Sequence, residues 1–559
     1  MGPWSLMRSV VAALILPVSG FAQAGALSSD STALLAIKSA NPGSKIDTLT
    51  GDNAWIEANP IKRWKWVRSS SRVDSLYLSE CKIQLLPPEI KALDRVEYLN
   101  LSYNELREIP PEIGSLTSLL TFDVSNNPLS SLPDAIGNLK SLKNLRLLGL
   151  QISTLPASIG NLSNLGTLDC RWSKLRWLPA EIGKLTKLYS FYLLYTELTE
   201  LPPEIGNLTA LNDLQLQGSK LNTLPVTIGN LKTVFRINLM ENKISSLPKE
   251  IAGLLGLFNG LYLYGNNLST LPDTTMNSTF IGLEHNAFTE FPKILFTWPR
   301  LQEIALGGNK IDSLPDEFAI PATLRILDLS DNSLSWLPAS FNKHGTLKNL
   351  NLSGNQFSSI PTEVLDSITT LDMSDNKLTS IPKEIGALKL QELHLDHNMI
   401  TELPSELSAL RNLKKLSLAN NLLQTLPVEL STLPKIYIDL DSNYLSEDNL
   451  PVALIPWLNE CNPDWKKTQR RGNVLAHRKS VFFNEPMRLE YHCGKGIVLS
   501  RAAVVKVSVI IYSLNGRILV EKDIEPGIMA RNGLSLTSGS YLYSIQEKGN
   551  TVSGILFVR

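Results

Sequence analysis

The sequence carries no excess charge of either sign. Among 559 residues, Lys and Arg together number 53 and Asp and Glu together number 53, so the formal net charge at pH 7 is zero. Binding to nucleic acid or to an anionic membrane surface depends on a positive field, so we expect neither partner. Cysteine is scarce as well, and four residues are too few for a fold held together by disulfides.

Long apolar runs are also missing after the first 24 residues, so we predict no transmembrane segment. Those first residues contain the basic Arg8 and a short apolar run at 10–18. They end in Ala22-Gln23-Ala24, an A-x-A pattern of the kind that precedes signal-peptide cleavage. We therefore predict that residues 1–24 are a signal peptide and that the mature, exported protein starts near Gly25.

What the sequence has in abundance is one repeated pattern. Residues 119–141 carry apolar side chains at Leu119, Phe122 and Val124, followed by Asn127 and an apolar residue two positions later. The same LxxLxLxxNxL skeleton starts seventeen times, mostly at intervals of 23 residues, and the array covers residues 73–445. One unit cannot bury its apolar side alone, whereas stacked units share one continuous core.

This skeleton resembles the leucine-rich repeat family. The resemblance implies an α/β solenoid of horseshoe shape, in which each LxL segment adds one short strand to a parallel concave sheet. The LPxxIG segment that follows, as in residues 201–206, is similar to the class seen in plant Ras-group-related and Scribble-type proteins. The shared property of those proteins is protein binding. Proline favours a short turn or a single helical turn on the convex side.

The Asn of each unit stands where the chain turns inward. We expect its amide to bond buried backbone groups of its own and adjacent turns, which are otherwise costly to bury. Five units carry another residue at this position: Cys81, Leu150, Ser173, Thr196 and Ser219. A hydroxyl replaces part of this bonding and a leucine replaces none, so we expect looser turns in units four to seven.

Residues 25–72 resemble the N-terminal cap of plant extracellular leucine-rich-repeat proteins. The matching segments are residues 33–38, 41–43, Trp55 and 64–67. The resemblance implies that this segment shields the open edge of the first repeat and contains a helix that ends near Asn41. The cysteine pair of that family is absent, because Lys62 and Ser69 stand at its positions.

After residue 445 the repeat fades. Residues 446–462 are predicted to form a C-terminal cap, and the polar, basic residues 463–480 a solvated linker, with contact to an anionic surface as the alternative. Residues 481–559 are predicted to form a small β-sandwich. Its hairpin signals are Asn515-Gly516 and Gly549-Asn550, each between alternating apolar runs.

Three segments of this last region, residues 511–517, 538–543 and 558–559, resemble the C-terminal sorting domain of the type IX secretion system. That resemblance implies recognition by secretion machinery at the outer membrane, followed by display on the cell surface of a bacterium or release from it. The alternative is an ordinary C-terminal β-sandwich that binds or anchors something.

The strand residues that face away from the core in units four to nine are unusually large. Aromatic residues, Met and Arg are enriched at protein interfaces, and rings with Gln and Arg also suit sugars. We predict that these residues bind a protein or glycan ligand: Arg146, Arg171, Trp172, Tyr192, Tyr195, Gln215, Gln217, Arg236, Met240, Tyr262 and Tyr264. Units twelve to fifteen carry small acidic residues instead, which keep the face soluble.

Motifs of common enzymes are lacking. The sequence has no phosphate-binding loop, no paired Cys motif with metal spacing and no nucleophile beside an obvious base. The best metal candidate is His394, Asp396 and His397, with Asp372 one repeat earlier, but a polar surface without metal is the preferred interpretation. We therefore predict no metal, no cofactor and no catalytic residue.

The cysteines fall into two kinds. Cys170 stands in a core position of its strand, which favours a buried, inert thiol. Cys461 and Cys493 flank the predicted linker, and in an exported protein they can form a disulfide or stay free.

Taken together, these patterns predict an exported, non-enzymatic binding protein of a bacterium. One alternative is a structural or adhesive surface protein in which no single patch dominates. Another is a secreted effector enzyme such as the bacterial leucine-rich-repeat ubiquitin ligases. It is disfavoured because the tail is short and has the pattern of β-hairpins.

Overall fold

The computed structural model describes residues 29–44, 73–254, 256, 260–341 and 345–470, together with the backbone of six strands between residues 489 and 558. The chain divides into two compact units, residues 1–469 and 470–559. The predicted signal peptide and residues 45–72 of the predicted N-terminal cap lie outside the described residues.

The first unit contains one open parallel sheet of seventeen strands, one from each repeat. Consecutive strands pair in the order of the chain, which confirms the predicted solenoid. The strands are β1 (Ser75–Tyr77), β2 (Tyr98–Asn100), β3 (Thr121–Asp123), β4 (Asn144–Arg146), β5 (Thr167–Asp169), β6 (Ser190–Tyr192), β7 (Asp213–Gln215), β8 (Arg236–Asn238), β9 (Leu261–Tyr262), β10 (Phe280–Gly282), β11 (Glu303–Ala305), β12 (Ile326–Asp328), β13 (Asn349–Asn351), β14 (Thr370–Asp372), β15 (Glu392–His394), β16 (Lys415–Ser417) and β17 (Tyr437–Asp439).

Each strand buries one central apolar residue in the core, and the residues beside it lie on the opposite face of the sheet, where most are half-buried. In β12, Leu327 has no exposed surface, and the parallel register places it beside Leu350 of β13. The same column of buried side chains continues through the array and forms one core. Burying such a side chain contributes about 2 kcal/mol, and a single unit has no partner surface to bury it against.

On the convex side, most units form one short 3-10 helix. In unit six, Pro202 precedes this helix with φ −65° and ψ 147°, and the Leu208 amide donates to the Ile205 carbonyl. The 3-10 helices are Pro88–Ala92, Pro111–Ser115, Asp134–Asn138, Ala157–Asn161, Ala180–Lys184, Pro203–Asn207, Val226–Asn230, Lys249–Gly253, Lys293–Thr297, Thr362–Val364, Lys383–Ala387, Ser405–Ala409, Val428–Thr432, Glu447–Asn449 and Val452–Leu454.

The glycine of the LPxxIG segment has a packing role. A Cβ atom at Gly206 would lie 2.4 Å from the carbonyl oxygen of Thr227 in the next repeat. Successive convex turns therefore approach each other more closely than any side chain at this position permits.

Buried asparagines connect each turn to the previous repeat. In unit eleven, the Asn309 amide donates to the carbonyls of Leu306, at 2.9 Å, and of Leu283 one repeat earlier, at 3.0 Å. Its side-chain oxygen accepts the Phe288 amide at 3.1 Å. The expected bonding is confirmed, and we call this series the asparagine ladder: Asn104, Asn127, Asn242, Asn266, Asn286, Asn309, Asn332, Asn355, Asn376, Asn398, Asn421 and Asn443.

Units five to seven replace the amide by hydroxyls. The Ser173 hydroxyl donates to the Cys170 carbonyl at 2.7 Å, and the hydroxyls of Thr196 and Ser219 lie 2.8 Å apart. In unit four, Leu150 is fully buried and belongs to the core. The residue before the ladder position has φ between +49° and +72° in all seventeen units. The backbone conformation of the turns therefore does not loosen in units four to seven.

At the N-terminal edge, helix α1 (Ser29–Ala40) ends one residue before Asn41, as predicted. Its Asp30 carboxylate accepts the Val73 amide at 2.6 Å. The Asn41 side chain donates to the Leu85 carbonyl at 2.8 Å and accepts the Gln84 amide at 2.7 Å. The helix is thus attached to the first repeat by the same kind of amide bonding that joins the repeats.

At the C-terminal edge, helix α2 (Ile455–Cys461) packs on the last repeats, and the Trp457 indole donates to the Leu433 carbonyl at 3.1 Å. Trp465 is fully buried, and the Gln469 side chain donates to the Leu440 carbonyl at 3.1 Å. Residues 463–469, which we expected in a solvated linker, therefore complete this cap. The physical reason is Trp465, whose large apolar side chain is buried although the residues around it are polar and basic.

The second unit contains two antiparallel sheets. One is the pair β18 (Leu489–His492) and β19 (Gly496–Leu499); the other has four strands in the order β21–β20–β22–β23. These four strands are β20 (Val507–Tyr512), β21 (Ile518–Ile524), β22 (Gly539–Glu547) and β23 (Asn550–Val558). Both predicted hairpins are confirmed, because β20 pairs with β21 and β22 with β23. No helix in the described parts of the chain has the length and apolar character that crossing a membrane requires.

The asparagine ladder predicts a specific order of stabilities. Replacing Asn309 by Leu removes the acceptor of the Phe288 amide and one of the two asparagine donors to each of the Leu283 and Leu306 carbonyls. The free energy of unfolding should therefore fall by about 1–3 kcal/mol. Asn309→Ser should cost less, because a hydroxyl can still donate to the carbonyl three residues earlier, as Ser173 does. Urea unfolding followed by circular dichroism measures both variants. Equal losses would show that hydrogen bonding at this position does not set stability.

Candidate ligand-binding surface

The register of the sheet places corresponding residues of successive repeats side by side. Asp169 of β5 pairs with Tyr192 of β6, and Tyr192 pairs with Gln215 of β7. Neighbouring strands lie about 4.8 Å apart, so side chains in one row touch or nearly touch. We call the eleven predicted binding residues the central patch; the structure places them in four adjacent rows over units four to nine.

The outermost row lies in the turn after each strand, at the positive-φ position. Trp172 and Tyr195 occupy it with φ of 53° and 55°, a conformation that bulky residues rarely adopt. Their rings are stacked, with centroids 6.0 Å apart and planes within 2°. Both stay in solvent, since Trp172 is 55% exposed and Tyr195 is 41% exposed.

The next residue in this row is Gly218. A Cβ atom there would lie 2.3 Å from the Tyr195 ring, so the ring occupies the space of the missing side chain. Gly218 also has a φ of +69°. Because Gly218 has no side chain, the Tyr195 ring can lie over it without a clash.

Arg171 is held in place beside these rings. Its guanidinium donates two hydrogen bonds to Asp169, at 2.9 Å to Oδ1 and 2.6 Å to Oδ2. It also lies 5.8 Å from the centroid of Trp172 and 5.5 Å from that of Tyr192. The bonds to Asp169 raise the pKa of Arg171 further above its ordinary value, so the group stays charged.

The other two arginines of the patch are paired in the same way. Arg146 lies 3.6 Å from the Asp123 carboxylate, and Arg236 lies 3.3 Å from that of Asp213. In each pair the aspartate is largely buried while the arginine reaches into solvent.

Amide side chains fill the space between the rings. Gln215 donates to Asp213 at 2.6 Å, and Gln217 donates to Glu241 at 3.3 Å. Asn238 donates to the Gln217 oxygen at 3.1 Å. These amides therefore have fixed directions before any ligand arrives.

The patch ends in unit nine with more aromatic contacts. The Tyr262 ring lies 5.0 Å from that of Phe280, and the Tyr264 ring meets the His285 ring edge-on at 5.1 Å. Met240 and Tyr264 are half-buried, and Tyr262 is exposed. The eleven predicted residues thus lie on one continuous surface.

Sequence reasoning missed the partners that orient this surface: Asp123, Asp169, Asp213, Asn238, Glu241 and Phe280. A signal for three of them is present, because an aspartate occurs at a strand position on the concave side within one repeat of each arginine. Only the structure shows which aspartate each arginine pairs with.

The acidic end of the sheet is arranged differently. Asp328 and Asp372 accept the backbone amides two residues later, each at 2.9 Å, so these carboxylates support their own turns. His394 lies 3.7 Å from Glu392, His397 lies 3.9 Å from Asp375, and Asp396 accepts the Ala419 amide. The structure does not bring these histidine and carboxylate side chains together at one point. Among the described residues, no group of three or more His, Cys, Asp or Glu is placed to hold a metal.

None of the eleven residues of the central patch is a cysteine. Cys170 is fully buried, and burial raises the pKa of its thiol well above the ordinary value, as expected for an inert core residue. Cys461 has no disulfide partner among the described residues, and Cys493 lies outside them. The proposed disulfide between them stays a prediction.

Glu284 lies one repeat beyond the patch and is unusual. One carboxylate oxygen, Oε2, is buried without a hydrogen-bond partner. A Cβ atom at Gly282 would lie 3.0 Å from this oxygen, so the carboxylate lies in space that the glycine leaves. Burial raises the pKa of Glu284, and the nearby Asp328 and Glu303 raise it further.

Comparison with known proteins agrees with the geometry. Sequence families described as leucine-rich repeat or leucine-rich repeat region match residues 136–222, 345–400 and 388–445, and 95–116, 118–139 and 323–344. A leucine-rich-repeat protein of Leptospira interrogans is 32% identical, with a TM-score of 0.55; the match covers 70% of this chain and 94% of that protein.

Two other solved structures are less similar. The Arabidopsis receptor kinase HAESA, solved with the peptide hormone IDA and the co-receptor SERK1, is 26% identical over 75% of this chain and 82% of its own, with a TM-score of 0.44. A leucine-rich-repeat protein of Bacteroides eggerthii is 18% identical over 62% of this chain and 71% of its own, with a TM-score of 0.47. No curated protein matches the chain.

The pKa of Glu284 predicts a pH effect on stability. A raised pKa means that the folded state binds more protons than the unfolded state, so stability falls as pH rises through it. Glu284→Gln removes this effect. The variant should therefore gain stability over the natural chain between about pH 4 and about pH 7. Thermal unfolding across this range measures the difference.

The control is Glu402→Gln, at an exposed glutamate, which should leave the pH dependence unchanged. A Glu284→Gln variant whose stability relative to the natural chain is the same at both ends of the range would contradict the assigned burial effect.

Proposed function

The chain belongs to the leucine-rich repeat family, and from that premise we propose that it is a non-enzymatic binding protein whose concave face engages a protein or glycan ligand. The observation that carries the proposal is the central patch, where rings, arginines and amides from six consecutive repeats form one exposed surface. The proposal also places the repeats in the LPxxIG class, which the close packing at Gly206 supports.

Exposure distinguishes binding from a purely structural role for the rings. Trp172, Tyr195 and Tyr262 are 55%, 41% and 39% exposed even though each packs against a neighbouring ring. Ring pairs can stabilise a sheet by themselves. Stacking that leaves this much apolar surface in water, however, is typical of interaction sites.

We further propose that the protein is exported and reaches the surface or the exterior of a bacterial cell. Residues 1–24 are its signal peptide, and residues 481–559 are a sorting domain of the type IX secretion kind. Supporting this, β20–β21 and β22–β23 form the two hairpins expected of that domain, in a compact unit of their own.

Substitutions in the stack test the binding site once pull-down and glycan-array screens with the purified chain have identified a ligand. Trp172→Ala and Tyr195→Ala should each weaken binding by about 2 kcal/mol or more, because exposed rings at such surfaces are usual hot spots. Their melting temperatures should change little, since neither side chain belongs to the buried core.

Asp372→Ala at the acidic end is the control for this experiment, and it should leave affinity unchanged. If the two ring variants instead lose stability and keep their affinity, the rings are structural and the ligand lies elsewhere.

Truncation tests the delivery proposal. A chain that ends after Arg470 retains the whole C-terminal cap, so the array should melt at an unchanged temperature while the protein accumulates in the periplasm. A chain that ends after Asn462 lacks the buried Trp465 and should melt lower. Cell fractionation and thermal unfolding give the two readouts. Normal surface delivery of the first truncation would remove the sorting hypothesis.

A further inference from the structure

The arginines of the central patch are not free to bind an anionic ligand. Each of its three arginines has an aspartate partner, in the pairs Arg146–Asp123, Arg171–Asp169 and Arg236–Asp213. These aspartates lie under their arginines, with side chains only 7–11% exposed. An anionic ligand would have to compete with a buried carboxylate for its arginine, and a cationic ligand with a guanidinium for its aspartate.

The same pairs suit hydroxyl groups. A hydroxyl donates one hydrogen bond and accepts others, so it can accept from an exposed guanidinium and donate to an amide oxygen at the same time. Gln215, Gln217 and Asn238 add donors and acceptors that already have fixed directions. Hydroxyl recognition by this surface therefore needs little ordering of side chains on binding.

The rings supply the second element. Tyr195 stacks on one side of Trp172, and the indole keeps 55% of its surface in solvent. Arg171 holds its guanidinium near both Trp172 and Tyr192. A flat, uncharged ring with an apolar C–H face and polar edges can cover the indole and meet the Arg171 guanidinium at its rim.

The length of the surface indicates a long ligand that spans several repeats. From Trp172 in unit five to Tyr264 in unit nine there are four strand spacings of about 4.8 Å, or roughly 19 Å. Rings lie in units five, six and nine, and amides lie between them in units seven and eight, so the surface presents groups for ring stacking and for hydrogen bonding at the spacing of the repeats. A linear polymer of similar rings matches such a surface better than one compact ring.

We propose that the ligand of the central patch is an uncharged oligosaccharide that lies across the strands, with one sugar ring on Trp172 and further rings bonded to the amides of units seven and eight. This inference rests on the proposed binding function and names its ligand class. Binding of a protein instead of a sugar is one of the outcomes of the test below.

The experiment uses the full chain in native gels that contain soluble neutral β-glucan, xylan, mannan or starch, with polygalacturonate as a charged comparison. Oligosaccharides of the retarding polysaccharide are then titrated by calorimetry. We expect retardation by at least one neutral polysaccharide and none by polygalacturonate. Affinity should change less than about twofold between about 0.05 M and about 1 M NaCl, because salt screens only charge–charge attraction.

Trp172→Ala should weaken this binding at least about tenfold. Trp177→Ala is the matched control, because Trp177 belongs to the same repeat and is 51% exposed but lies beyond the turn, before the helix Ala180–Lys184. It should bind like the natural chain.

The failures are distinguishable. If no neutral polysaccharide binds, yet the chain captures a protein and loses it on Trp172→Ala, the binding function stands and the oligosaccharide inference is wrong. Binding that high salt abolishes would also overturn the inference. If neither sugars nor proteins depend on Trp172, the central patch is not a binding site and both proposals fail.

Discussion

The structure depends on hydrogen bonds that a buried asparagine, present in most turns, makes to the backbone of the preceding repeat. A chain that turns inward seventeen times buries carbonyl and amide groups that water cannot reach. Asn309 satisfies three of them at once, and the other ladder asparagines repeat this arrangement. Even the N-terminal helix is attached by Asn41 through bonds of the same kind. The leucine core supplies the free energy of burial, and the ladder amides bond buried backbone groups of the turns that would otherwise be costly to bury.

The ladder is interrupted in the units that carry the most prominent rings. Leu150, Ser173, Thr196 and Ser219 replace asparagine in units four to seven, and the exposed stack of Trp172 and Tyr195 belongs to two of these units. The hydroxyls of Thr196 and Ser219 bond to each other and to a strand carbonyl, so the turns keep their shape. Bulky residues at a positive φ are strained. The array holds them there because both neighbouring strands fix the turn.

Electrostatics on the concave face follow from partial burial. Each aspartate beneath an arginine is nearly out of solvent, and a buried carboxylate without a partner is costly. Pairing within or between adjacent repeats removes that cost and leaves a surface rich in hydrogen-bonding groups, on which the charge of each arginine is balanced by an aspartate. Glu284 shows the opposite case, because one of its oxygens has no partner and its pKa rises.

The repeat period, the strand positions and the ladder asparagines could all be predicted from the sequence, because each unit must bury the same face against its neighbours. The eleven patch residues could also be predicted to share one surface, since a parallel register aligns equivalent positions. Three features of the structure could not be predicted in this way, because they depend on tertiary contacts. The partners of Arg171 and Arg236 depend on side-chain directions that the period does not contain. Leu150 is a core residue because its surroundings are apolar. Trp465 lies in a polar, basic segment, and only the open edge of the last repeat makes its burial favourable.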